Sequence, residues 1–258
     1  MTPVLLLLTI WILAAGMMTL GWLWQRRRNN AGIVDVLWSK GVAASAILIA
    51  LFGRGALWPR ALLALLAAAW GARLGRHLWL RVRREPEDGR YRRLRERWGN
   101  KQLKWFALFQ FQALLIALFS IPFLVAAANP GTRAGWLALA VAIWMVCVGG
   151  EHTADQQLAR FRAEPAHHGR TCREGLWRYS RHPNYCFEWL HWFTYVALSI
   201  GAPAAWYSIS DPLLMFVLLR WISGVPHTEA QALRTRGEDY RDYQRRTSMF
   251  IPWPPRRV

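Results

Sequence analysis

Pro3-Val-Leu-Leu-Leu-Leu-Thr-Ile-Trp-Ile-Leu-Ala-Ala-Gly-Met-Met-Thr-Leu-Gly-Trp-Leu-Trp24 runs directly into Gln25-Arg-Arg-Arg28, and this junction decides the class of fold. An α-helix needs about 20 mostly apolar residues to cross the hydrocarbon core of a bilayer, and this run supplies them. No basic segment precedes it. Its end looks like a stop-transfer flank and not a cleavage site, so it reads as a first membrane span and not as a signal peptide. The same alternation of apolar run and basic flank repeats along the chain. It predicts seven spans, at about 3–24, 33–52, 57–80, 105–128, 134–150, 185–200 and 212–225. Asn129-Pro-Gly131 closes the fourth with turn chemistry. The expected fold is therefore all-α: a polytopic membrane protein with a single membrane-embedded domain over 1–258.

Composition points the same way. The chain is 54% hydrophobic yet carries a net charge of +18. Apolar spans and basic loops, as separate stretches, produce that combination naturally. The 17 Trp and 11 Phe suit the bilayer interface, where amphipathic rings collect. Nucleic-acid binding is the other common reading of a basic chain. It is disfavoured here because the basic residues lie between long apolar runs and not on one soluble module. Their placement also orients the chain. Segments 25–32, 81–104, 151–184 and 226–258 hold 26 of the 33 Lys and Arg, against Arg54, Arg60 and Arg133 in the other loops. The positive-inside rule then puts the N-terminus outside and the C-terminus inside. Loops 81–104 and 151–184 and the tail from 226 form the cytoplasmic side. Cys147, Cys172 and Cys186 show no CxxC pair and no zinc spacing, so neither a disulfide framework nor a metal is expected.

The richest stretch for chemistry is Glu174-Gly-Leu-Trp-Arg-Tyr-Ser-Arg-His-Pro-Asn-Tyr-Cys-Phe-Glu188. Pro183 biases His182 away from helix and can start the next one. Asn184 and Glu188 then share a face of that helix, beside Arg178, Arg181 and His182. Exposed N–H groups and cations at a helix N-terminus favour a phosphate. The same residues also fit an interfacial belt that anchors the helix. The second stretch is Glu151-His-Thr-Ala-Asp155, with Arg162 two turns on. Two carboxylates beside the membrane are costly unless paired or functional. They can accept hydrogen bonds from ribose or amide groups, or pair with loop arginines. The tail, with Glu229, Tyr240 and Tyr243, reads either as an amphipathic surface helix or as a lid over a cofactor. Within the spans, Asp35 lies near the start of the second, and Arg73, Arg76 and His77 lie in the inner half of the third. A buried acid facing a pocket can polarise a carbonyl by donating a hydrogen bond. An Asp–Arg pair between these two spans is the plainer reading. Arg90, in the charged turn Glu87-Asp-Gly-Arg-Tyr91, can also be presented to a phosphate. No G-x-G-x-x-G, Walker or nucleophile-elbow motif occurs, so any dinucleotide must be held by helices and loops.

Several stretches resemble the bacterial branch of the steroid 5α-reductase family, the DUF1295-type membrane proteins. They are Ile33-Val-Asp-Val-Leu-Trp38, Trp70-Gly-Ala-Arg-Leu74, Glu87 to Tyr91, Asp155-Gln-Gln-Leu-Ala-Arg-Phe161, Gly175 to Glu188, and Arg236-Gly-Glu-Asp-Tyr240 through Phe250-Ile-Pro-Trp253. The resemblance covers nearly the whole chain, and the His-Pro-Asn-Tyr block is its most specific part. It implies NADPH bound from the cytoplasmic side of a bacterial inner membrane. It also implies hydride transfer to the β-carbon of a lipophilic enone, a steroid or another lipid, reached from the bilayer. Carried over by position, Glu151, Asp155, Arg162, Arg170, Tyr179, Asn184 and Glu188 fall on cofactor-contacting positions, with Arg73 and Arg90 beside them. His182, Glu229 and Tyr240 join that set from the clusters described above. Asp35 falls near the family's catalytic glutamate; the family's catalytic tyrosine has no match here, and Trp70 or Gly71 stands in its place. Glu151 replaces an Asn. A monomer is expected, with membrane lipid as its surroundings. The His-Pro-Asn-Tyr block also resembles the isoprenylcysteine carboxyl methyltransferases, which implies an alternative in which S-adenosylmethionine is the cosubstrate.

Overall fold

The computed structural model describes residues 1–256, and among them the chain is helical, with one isolated bridge between Ser180 and Ser248. The helices are α1 (Pro3–Arg28), α2 (Ile33–Phe52), α3 (Leu57–Arg84), α4 (Gly89–Trp98), α5 (Gln102–Leu118), α6 (Ile121–Ala127), α7 (Ala134–Ala163), α8 (Pro183–His191), α9 (Phe193–Ser199), α10 (Ser210–Val217) and α11 (Val225–Arg246). Short 3-10 turns cover Pro165–His167, Gly175–Arg178 and Ala205–Ile209, and a π-helical turn covers Leu218–Ile222. Among the described residues, five stretches are long and apolar enough to cross a membrane: Pro3–Arg28, Ile33–Phe52, Gln102–Ala127, Ala134–Ala163 and Ala205–Arg246. The protein is a multi-pass membrane protein by this architecture. The last of the five is composite, since its α11 portion is rich in Arg, Asp and Glu and only the part before it is apolar. α3 is long enough to span but carries Arg60, Arg73 and Arg76. α8 and α9 are each too short, at 9 and 7 residues.

Several elements differ from the expected spans for identifiable reasons. α1 begins with Thr2 as its cap, whose hydroxyl accepts from the Leu5 N–H, and with Pro3 in the first turn. It ends beyond Trp24, at Asn29, which takes the left-handed conformation; Arg26, Arg27 and Arg28 fill the last turn, where cations complement the helix dipole. The expected fourth span is broken between α5 and α6. Pro122 lacks an N–H, and the Ser120 hydroxyl lies 2.8 Å from the Ile116 carbonyl, a bond that bends helices. α7 continues well past Gly150 to Ala163, so Glu151, Asp155 and Arg162 ride on the spanning helix itself. Glu164-Pro165 is the first breaker it meets. The sixth span is split at Trp192 into α8 and α9.

The chain forms two compact units. Unit 1 is Met1–Ala140 with Tyr195–Asp211, and unit 2 is Val141–Thr194 with Pro212–Val258. In unit 1, α2 and α3 make the most extensive helix pair. Gly71 and Gly75, four apart on α3, permit it. A Cβ on Gly71 would stand 2.4 Å from the Ala43 Cβ, and one on Gly75 2.6 Å from the Lys40 Cε. Small residues at this spacing let backbones approach in a medium that offers no hydrophobic drive between helices. Trp70, Trp105, Phe109, Phe119, Phe123 and Tyr195 are fully buried around them. In unit 2, Cys186, Val225 and Phe250 form one apolar cluster, and Ala232, Tyr240 and Tyr243 another.

Candidate functional site

In unit 1 the acid at the start of α2 is already engaged. Asp35 Oδ2 accepts from Arg90 Nη2 at 2.7 Å, and Oδ1 accepts from the Tyr91 hydroxyl at 2.7 Å. The arginine paired with Asp35 therefore comes from α4. Asp88 caps α4 by accepting the Arg90 N–H at 2.8 Å, and it also pairs with Arg81. Burial pushes the Asp88 carboxyl up, but the charges of Arg90 and Arg81 outweigh it and hold the group below its ordinary value. Glu87 receives a two-pronged pair from Arg95, at 2.8 and 2.9 Å, and the Ala31 N–H at 2.8 Å. These contacts dock α4 onto the α1–α2 turn. Tyr91 is buried, and burial raises its hydroxyl well above the ordinary range, so it stays protonated and donates to Asp35. Beside Asp35 lies a cavity of about 20 Å³, lined in part by Asn30, Gly32 and Asp88. That is room for roughly one water. Trp70 sits deeper, fully buried and edge-on to Trp38 at 5.9 Å between ring centroids. Arg73, three residues on, is half-buried on α3.

Unit 2 carries the other sequence-predicted residues, and it brings several of them together. Asn184 Nδ2 donates to Asp155 Oδ1 at 3.1 Å, so the two motifs meet. Pro183 begins α8 as expected, and Asn184 Oδ1 accepts the Tyr185 N–H at 3.0 Å. Two further bonds fix this register. Gln157 Oε1 accepts the Leu176 N–H at 2.9 Å, and the Trp177 indole donates to the Ala154 carbonyl at 2.9 Å. Glu151 and Glu188 are buried, and the Trp192 indole donates to Glu188 Oε1 at 3.3 Å. Arg162, Arg170 and Tyr179 are exposed.

A second cluster gathers His182, Glu229 and Tyr240 around Arg181. Arg181 Nε donates to Glu229 Oε1 at 2.7 Å, while its Nη1 donates to the Gln244 and Thr247 carbonyls at 3.0 and 2.8 Å. His182 Nε2 lies 3.3 Å from Glu229 Oε1, the Tyr240 hydroxyl donates to the same oxygen at 3.4 Å, and Gln244 Nε2 donates to Oε2 at 2.9 Å. Burial pushes Glu229 up, but hydrogen bonds from His182 and Arg181, with the arginine's charge, bring it down to about 2. Burial lowers His182, against the opposing pull of Glu229, so the ring is neutral at physiological pH. Burial likewise raises Tyr240. The cluster fastens α11 to the turn before α8. Gly237, at φ 51°, makes the bend in α11 that the fastening needs.

Sequence reasoning left Arg181 and Tyr91 outside the site. Arg181 was visible only as one flanking cation among several, and its partner is 48 residues away. Tyr91 pairs with an acid 56 residues away, and no local pattern signals that.

The family model described as "Protein of unknown function (DUF1295)" matches residues 21–247. Among curated proteins the chain is similar to the Uncharacterized protein C594.04c of Schizosaccharomyces pombe, at 27% identity over 87% of this chain and 73% of that protein. No solved structure matches.

Proposed function

The chain belongs to the DUF1295 family, and from that premise we propose that it is an NADPH-dependent membrane reductase of a lipophilic enone. The reaction is reduction of the C=C bond of a Δ4-3-oxosteroid or a similar lipid enone, giving the 5α-3-oxo product. The proposed arrangement is one reductase domain with seven spans, N-terminus out and C-terminus in. It works as a monomer in a bacterial inner membrane, with its cofactor side toward the cytoplasm.

The observation that carries this reading is the Asn184–Asp155 hydrogen bond, which joins two motifs 29 residues apart beside buried Glu151 and Glu188. The donor set fits an anionic, hydroxyl-rich ligand. Arg170 and Arg178 are exposed, and among the described residues no carboxylate pairs with either. They and Arg162 supply charge for phosphates. Asp155, Glu151 and Glu188 are acceptors for ribose hydroxyl or amide groups. Tyr179, exposed on the turn before α8, is proposed as a further contact. His182, Glu229 and Tyr240 hold the turn that carries Asn184, and Arg73 is proposed as a further cofactor contact. NADPH supplies the hydride for the β-carbon. Asp35 is the acid proposed for the enone carbonyl. Both its oxygens accept hydrogen bonds, so Arg90 must swing away and the freed oxygen must take up a proton from solvent; the carboxylic acid then donates to the enone carbonyl while Tyr91 keeps it oriented. Arg90 is also proposed to bind phosphate, which gives it a reason to move. Trp70 serves as a buried apolar wall.

The test is turnover. Purified protein is incubated with NADPH and a Δ4-3-oxosteroid, and the product is identified by mass spectrometry. A 5α product whose formation falls at least about tenfold in D155N and in D35N supports the reading. Absence of both NADPH consumption and 5α product overturns it, and tight binding of S-adenosylhomocysteine in its place assigns a methyltransferase.

A further inference from the structure

A different part of unit 1 points to a second ligand, independently of the reductase reading. Trp24, Arg28, Asn30, Trp79, Val82 and Arg83 line an open groove of about 570 Å³ between the C-terminal ends of α1 and α3. Its floor is pinned. Asn29 turns the chain at φ 52°, and its N–H donates to the Gln25 carbonyl at 2.8 Å. Asn30 Nδ2 then donates to the Val82 carbonyl at 3.3 Å, while its Oδ1 accepts the Gly32 N–H at 3.0 Å. The two indoles stand 6.5 Å apart, and the Arg83 guanidinium lies 5.7 Å from the Trp79 ring centroid.

The acids in this neighbourhood are committed elsewhere. Glu85 pairs with Arg81, Asp88 with Arg81 and Arg90, and Glu87 with Arg95. Among the described residues no carboxylate pairs with Arg28 or Arg83. Two cations lining one groove repel each other unless an anion enters. Tryptophan favours the level of the lipid headgroups. Along α1, Leu13, Leu20, Trp24 and Arg28 follow helical spacing on one face, and Leu13 and Leu20 are 60% and 69% exposed. An apolar lane thus leads away from the basic end.

We propose that this groove binds the phosphodiester headgroup of an anionic phospholipid, with an acyl chain lying along the exposed face of α1. Basic pockets between spanning helices are suited to such headgroups, and a flanking cation contributes to the affinity. A zwitterionic lipid brings a compensating ammonium and gains less.

Native mass spectrometry of the full-length protein tests this, using micelles doped with phosphatidylglycerol or with phosphatidylcholine of the same acyl chains. Wild type is expected to retain phosphatidylglycerol preferentially. R28Q/R83Q is expected to lose that retention on the order of tenfold. R26Q/R27Q removes the same charge beside the groove and is expected to keep it. R83E alone covers the case of an unstable double variant and is also expected to lose the lipid. Equal retention of the two lipids, or undiminished retention in R28Q/R83Q or R83E, overturns the proposal. So does an equal loss in R26Q/R27Q, which signals bulk charge, or displacement by glycerol 3-phosphate, which signals a soluble phosphate ligand.

Discussion

Glu229 shows how one carboxylate fastens a tail. It sits among Arg181, His182, Tyr240 and Gln244, and its carboxyl is held at about 2, below its ordinary 4.5. A carboxylate depressed in the folded state stabilises the protein above its unfolded value, and that contribution is lost as pH falls through the folded one. His182, lowered by burial from 6.5, acts in the same direction, because the unfolded chain takes up its proton first. Thermal melting in detergent is therefore expected to decline with acid, with a Glu229 component between about 4.5 and about 2. E229Q is expected to start from a lower melting temperature and to show a shallower slope in that window. A slope equal to wild type contradicts the role given to this carboxylate. The cluster was only partly legible beforehand. His182, Glu229 and Tyr240 each stood out as polar groups near the membrane, but the basic partner that unites them was one arginine among many.

Gly71 and Gly75 set how closely α2 and α3 approach. A methyl at 71 would meet the Ala43 Cβ at 2.4 Å and the Ser39 carbonyl at 3.1 Å, and the backbone carbonyl cannot turn aside. G71A is expected to lower stability by about 1–3 kcal/mol, the range for overpacking a close contact. A43G in the same background should recover part of the loss, measured as melting temperature in one detergent. No recovery would mean that the contact does not limit the pair. The ends of α2 were readable from the chain because Gly32 and Gly53 bracket a mostly apolar run, and the helix is Ile33–Phe52 as expected. The end of α7 was not. Gly149-Gly150 followed by Glu151 resembles the end of a span, yet Gln156-Gln-Leu-Ala-Arg160 are good helix formers and no proline interrupts the ladder before Pro165. The α5–α6 break was hidden for the opposite reason. Apolar composition continues through Ser120 and Pro122, and the bond from the Ser120 hydroxyl to the Ile116 carbonyl at the interruption is one that composition does not show.

Orientation rests on charge alone. It predicts that a cysteine at position 54 reacts with a membrane-impermeant maleimide on intact cells and that one at position 97 does not. The native background is quiet, since Cys147, Cys172 and Cys186 are all buried. Labelling of R97C without R54C would invert the topology and move the cofactor side with it. The candidate site was legible as separate motifs, since acids and arginines beside a membrane need a purpose. That Asp155 meets Asn184, and Asp35 meets Tyr91, depends on packing between distant segments, which local periodicity does not encode. The most direct test is a calorimetric titration of NADPH into the protein reconstituted in nanodiscs. The account predicts saturable NADPH binding that weakens at least about tenfold in D155N and N184A, the loss of roughly one charge-assisted contact. No NADPH binding by the wild-type protein, or affinities in D155N and N184A equal to it, contradicts the account.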